Sequence, residues 1–142
     1  RKYSKKFIKD EEYAKQSKYG ELTTPPIMVS YMSSRVPPGE SDVVTQAFED
    51  NPMSDGIGDV HKHGELPPVP TNLVRVLNAG NELELYQYPS IGDKIKFQNR
   101  YSDIRERVGR DGKPFLIITR ETTYWNQGDE VLCITRASTI RR

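Results

Sequence analysis

The chain's 142 residues are enough for one domain that buries a core without disulfides or metals. With 21 Lys and Arg against 20 Asp and Glu, there is no overall field to draw the chain to nucleic acid or a membrane surface, so neither is expected as a partner. A single cysteine, Cys133, excludes an internal disulfide, and with no long apolar run or signal-like start a reduced, cytoplasmic setting is expected. Arg1 in place of Met, and ends that fall inside structured-looking segments, lead us to expect a longer natural polypeptide.

In chain order, "DEEYAKQSK" over 10–18 reads as a short helix. Asp10 caps it, Glu11 and Glu12 suit the positive end of its dipole, Lys15 and Lys18 suit the other end, and Gly20 follows. "TTPPIMVSYMSSR" offers Thr24 as a cap, Pro25 or Pro26 in the first turn, and Ile27, Met28, Tyr31 and Met32 at helical spacing. It predicts a second helix of two or three turns, ended by "VPPGE". From about Val36 to Thr71 the chain is rich in Pro, Gly, Asp and Ser, with too few periodic apolar positions for a regular element, so a long loop is expected.

The last half alternates apolar and polar residues. "NELELYQY" and the segments 93–108, 113–125 and 130–141 predict four antiparallel strands, with Leu83, Leu85, Ile95, Phe97 and Tyr101 on apolar faces. Gly112 in "GRDGK" and the "NQGD" at 126–129 signal tight turns, which make the last three strands a meander. Helices followed by a long-stranded antiparallel sheet give an α+β class, in which the sheet must bury its apolar face on a helix.

Three strings, "KDEEYAKQSKYGELTTPP", "LNAGNELELYQYPSIGDKI" and "ITRETTYWNQGDEVLCITRASTIRR", together resemble the MaoC-like enoyl-CoA hydratases, in particular the fatty-acid-synthase-like dehydratase N-terminal domains. The resemblance covers residues 7–35 and 72–142. It implies a single hot-dog domain over 1–142, a curved antiparallel sheet wrapped around a short helix, which pairs with a second hot-dog domain so that the acyl-CoA site lies at their junction.

Adding water across a 2-enoyl thioester needs a base for the water, an acid for C2 and donors for the enolate oxygen. Catalytic relatives supply an Asp and then a His just before the stretch that Asp10 and Ala14 match. On this sequence those positions fall at Tyr3 and Ile8. An unperturbed phenol titrates near 10 and an alkyl chain not at all, so neither exchanges protons near neutral pH. The resemblance therefore implies the non-catalytic half of a two-half hydratase, with no catalytic residue in this chain and no cofactor. Its partner would be a catalytic MaoC-like hot-dog subunit bearing the Asp and His, in a heterodimer or heterotetramer.

Pro26, Ile27, Met28 and Tyr31 are the expected substrate-binding residues. About ten residues of helix span about 15 Å, much less than the strand over 93–108. The rest of the trough is left to the loop, folding back with Val43, Val44, Phe48 and Met53, or to a bulky, even steroid-like, acyl group. Arg105, Arg107, Arg110 and Lys113 crowd the hairpin "RERVGRDGK", where they either meet coenzyme A phosphates or keep an exposed tip soluble. His61 and His63, with Asp59 and Glu65, invite a metal or acid–base reading, but His-x-His in such a loop is ordinarily just solvated, and no metal is expected. Cys133 reads as a buried structural thiol. Trp125 and Asn126 read as a strand-end anchor and a turn residue, and "GNE" at 80–82 reads as the start of a strand. Two other functions fit less of the pattern: a homodimeric hot-dog protein that holds an acyl thioester without converting it, and a self-sufficient hydratase or thioesterase built on residues such as His61 or His63.

Overall fold

The computed structural model describes residues 6–25, 27–30, 43–53 and 66–142. Its elements are α1 (Lys6–Lys9), α2 (Glu11–Gln16), α3 (Val43–Asp50), β1 (Val76–Leu85), β2 (Lys96–Val108), β3 (Pro114–Trp125) and β4 (Val131–Arg141). The four strands form one antiparallel sheet in the order β1-β4-β3-β2. The expected meander is β2-β3-β4, and β1 joins the free side of β4.

The turns form where their chemistry allows them. Gly112, at φ 74°, closes the β2–β3 hairpin, where Gly109 N–H donates to the Lys113 carbonyl at 2.8 Å. Between β3 and β4 the Asn126 carboxamide oxygen accepts from Gly128 N–H and Glu130 N–H at 2.9 and 3.1 Å, while its amide donates to Glu130 Oε2 at 2.7 Å. A residue read only as a turn former thus satisfies three polar groups while buried.

Register sorts the side chains between two faces, because neighbours along a strand point to opposite sides. Phe97, Tyr124, Cys133 and Leu85 lie in one row across all four strands. They share the inner face with Leu83, and the core sits there: Val29, Tyr124 and Cys133 are buried, with Leu83, Leu85, Ile95 and Phe97 packed against them. On the outer face a polar row crosses the sheet, Arg100, Glu121, Arg136 and Glu82 in register.

Several expectations are corrected. The first helix ends at Gln16 rather than Lys18, and α1 precedes it. Asp10 is nonetheless its cap, accepting from Tyr13 N–H at 3.0 Å. Over 27–30 the chain forms a tight 3₁₀ turn in which Val29 alone is buried. Residues 31–35 of the expected second helix lie outside the described residues. The stretch 36–71 is not without regular structure: α3 occupies Val43–Asp50. In that segment Ala47 and Phe48 suit a helix although Pro and Gly surround it. Of Val43, Val44, Phe48 and Met53, expected to fold back onto the sheet, Phe48 and Met53 are exposed, and the side chains of Val43 and Val44 lie outside the described residues.

β1 begins at Val76, not at Asn81, and ends at Leu85 rather than Tyr88. Gly80 therefore lies inside the strand rather than ahead of it. It has a φ of 144°, and pairing with β4 slips between Asn78 and Gly80. A glycine bulge of this kind keeps a strand paired across a kink that a side chain would strain.

Candidate functional site

Three places bear on function: the N-terminal helices, the turn at 27–30 and the end of the sheet near the β2–β3 hairpin. Ile8 lies in α1 and is half-buried. Its segment is tied down locally. Phe7 packs edge-on against Tyr13 and Tyr19 at 5.1 and 5.7 Å, and Tyr19 against Tyr88 at 5.2 Å. The Phe7 carbonyl accepts from Thr23 N–H at 2.9 Å, and Ser90 Oγ donates to Glu21 Oε1 at 2.6 Å, which holds the helices beside the β1–β2 connection. These contacts hold the helices, and Ile8 within them, in place beside the sheet. Tyr3 lies outside the described residues, as do Pro26, Tyr31, Asp59, His61, His63 and Glu65.

The turn at 27–30 sits on the inner face. Val29 fills the core there, and Tyr124 Oη donates to the Ser30 carbonyl at 3.1 Å, fixing the turn to β3. Ile27 and Met28 remain 55% and 40% exposed, which places two apolar side chains at the surface beside the packed core.

The described residues include no histidine. Among the described residues, two buried groups that could in principle transfer a proton or attack, Cys133 and Glu121, are both quenched. Burial pushes the Cys133 thiol up to about 11, so at neutral pH it stays protonated and poorly nucleophilic. Glu121, on the outer face, is only 6% exposed. Burial alone would raise its carboxyl. Hydrogen bonds from Arg100 (Nε at 2.7 Å) and Arg136 (Nε at 2.8 Å) outweigh that and hold it below the usual carboxylate range. Arg136 also reaches Glu84 at 3.0 Å, so the row reads as a chain of alternating charges bound to one another. Sequence reasoning missed this network, because alternation shows that Glu121 and Arg136 share a face only once the register is known.

Near the hairpin the register places Arg105 and Arg107 on the outer face, opposite Ile117 and Phe115. Arg105 is held by Asp103 at 2.6 Å, and Arg107 is exposed. Arg110 and Lys113 instead line a cleft of about 690 Å³ whose walls also include Arg75 and Arg142. These last two come together because the ends of β1 and β4 are paired: Arg75 and Arg142 exchange backbone hydrogen bonds at 3.0 Å. Ile27 and Met28 lie at the inner face and this cleft at the outer one, so the expected acyl-binding and phosphate-binding residues sit on opposite sides of the sheet. Among the described residues no cluster of His, Cys, Asp and Glu side chains is arranged to hold a metal ion, and no helix is long and apolar enough to cross a membrane.

The family model described as "FAS1-like, dehydratase domain region" matches residues 2–135. No curated protein matches the chain in sequence. Among solved structures, the chain is similar to the ChsH1-ChsH2 complex from Mycobacterium tuberculosis, with a TM-score of 0.64 and 13% identity over 98% of this chain and 70% of that one. It is similar to the C-terminally truncated HadBC (3R-hydroxyacyl-ACP dehydratase) complex from the same organism, with a TM-score of 0.59 and 14% identity over 98% and 77%. A MaoC-like dehydratase from Rhodospirillum rubrum matches with a TM-score of 0.54 and 20% identity over 94% and 72%. At these identities the likeness is one of fold, and the fold is the hot-dog domain.

Proposed function

This chain belongs to the FAS1-like dehydratase domain region family, and on that premise we propose that it is the non-catalytic, substrate-shaping half of a two-subunit enoyl-CoA hydratase. The observation that carries the reading is Ile8. A family built to move protons has here a half-buried alkyl side chain at a proton-transfer position, inside helices held in place beside the sheet. The quenched states of Cys133 and Glu121 support it, since neither buried group is a spare acid, base or nucleophile. The partner is a hot-dog subunit that supplies the Asp and His. Two of the similar structures, ChsH1-ChsH2 and HadBC, are themselves complexes of two differently named components.

In this assembly the exposed Ile27 and Met28 meet the acyl chain, and Val29 anchors their turn to the sheet. Phe48 and Met53 are exposed, and on this reading a bulky acyl group, rather than these two side chains, fills part of the inner side. Co-purification with the partner and a series of enoyl-CoA thioesters test this. The expected outcome is hydration that needs both chains, vanishes when the partner's His is replaced, and shows a higher kcat/KM for ring-bearing thioesters than for short linear ones. Activity that persists after removal of the partner's His would refute the division of labour. Equal handling of short and bulky thioesters would refute the bulky-substrate part alone.

A further inference from the structure

The cleft at the end of the outer face serves none of the roles given so far. Arg75, Arg110, Lys113 and Arg142 stand around it, with Asp111 as the one acidic side chain among the lining residues. Asp111 is already engaged: its Oδ1 accepts from Lys113 N–H at 3.2 Å, and its Oδ2 takes Arg142 at 3.3 Å. Among the described residues no carboxylate pairs with the side chain of Arg75, Arg110 or Lys113, in a protein whose cations and anions otherwise nearly balance. A surface that leaves three cations together and uncompensated is set up for an anion.

The floor is of a different nature. Leu77, Phe115 and Ile140 project from three adjacent strands, and Phe115 is the one aromatic ring among the described lining residues. Water or a bare inorganic anion gains nothing from such a floor, whereas a flat, weakly polar ring system does, by burial and by stacking on an aromatic side chain. The volume of about 690 Å³ falls within the range of small-molecule sites.

The geometry points to a binding site for a phosphorylated nucleoside, with its phosphates on Arg75, Arg110 and Lys113 and its base over the apolar floor. Arginine suits phosphate because its fork donates two parallel hydrogen bonds, and Arg142, pinned by Asp111, stiffens the wall. The ligand has two possible sources. It is either the nucleotide end of a coenzyme A thioester, which rests on the proposed hydratase role, or a free nucleotide, which does not.

The test is direct binding of adenosine 3′,5′-bisphosphate and of ADP to the full chain, with inorganic phosphate for comparison, on the wild type and on two variants. The pair Arg110→Ala with Lys113→Ala changes exposed side chains on a turn and leaves the strands intact; Arg107→Ala removes a cation of the same face that lies outside the cleft. Saturable nucleotide binding, at least tenfold tighter than that of phosphate, weakened at least tenfold by the double change and unaltered by Arg107→Ala, is expected. No saturation up to millimolar nucleotide, equal affinity for inorganic phosphate, or equal weakening by Arg107→Ala would overturn the proposal. The source is read from the reconstituted hydratase. A higher KM for the coenzyme A thioester, but not for an N-acetylcysteamine thioester of the same acyl group, identifies the carrier; unchanged KM for both, with nucleotide binding lost, identifies a free nucleotide. The binding arm uses no turnover, so a failed hydratase assignment and a failed cleft assignment are told apart.

Discussion

The two faces of the sheet use the same four strands for opposite purposes. On the inner face Tyr124, Cys133, Leu83, Leu85 and Phe97 close over Val29 in an apolar core. On the outer face Arg100, Glu121, Arg136 and Glu84 bind one another in a row across the sheet, and the cleft opens at its end. One face holds its titratable thiol silent by excluding water; the other holds its buried carboxylate silent by surrounding it with cations. The lesson is that a buried ionisable group in this fold is not evidence of catalysis, and that each face can be tested for the means by which it suppresses reactivity.

The largest effect is expected on the inner face, at Cys133. A thiol with its pKa raised to about 11 is almost wholly protonated at neutral pH, and the residue is fully buried. Labelling by a thiol-specific reagent at pH 7 is expected to be at least about 100-fold slower in the native protein than in urea, since the thiolate is the reactive species. Rapid native labelling would show that the inner face admits water and reagent.

Val29→Ala removes two buried methyl-sized groups at the centre of the same face. About 2 kcal/mol of stability should be lost, from the transfer and cavity costs together, measured as a lower urea midpoint with an unchanged slope. Since the turn at 27–30 is fixed through this residue, substrate KM in the complex should rise as well. A stability change within experimental error would mean that the turn is not docked.

Glu121→Gln probes the outer face. The folded carboxyl titrates below its unfolded value, so its ionised form contributes stability that is fully present above the ordinary carboxyl range. That contribution is lost as the pH falls through that range towards the lowered folded value. The variant should be less stable by about 2 kcal/mol at pH 7, the scale of hydrogen bonds to charged groups. The gap between wild type and variant should close on acidification. A gap that does not narrow as the pH falls below the ordinary carboxyl range would assign the loss to packing instead of charge.

The smallest effect belongs to Tyr124→Phe, which deletes the bond to the Ser30 carbonyl. About 1 kcal/mol is expected. The ring's contact with Phe97, centroids 6.3 Å apart, survives the change.

Much of this division was legible in the sequence. Alternation located three of the strands to within a few residues, and Gly112 and Asn126 marked the turns between them, because strand period and turn chemistry are local properties. The beginning of β1 was not legible: Gly80 reads as punctuation in one dimension and becomes a bulge only when β4 is beside it. Nor was α3, whose favourable residues are outnumbered by the Pro and Gly around them. At the cleft, Arg110 and Lys113 announce themselves in a hairpin, whereas Arg75 and Arg142 reach the same place only through the pairing of strand ends distant in sequence. The charge row was invisible for the same reason, since partners on four strands are revealed by register alone.

The central claim is that the acid and base come from another subunit, and turnover by the isolated chain tests it most directly. The homogeneous chain, assayed alone on crotonyl-CoA and on a bulky enoyl-CoA thioester, should show no hydration above the buffer rate. Adding a hot-dog partner that bears the Asp and His should raise the rate by at least about 100-fold, the lower end of what positioned acid–base groups contribute. Robust hydration by the isolated chain, unaffected by the partner, would contradict the account.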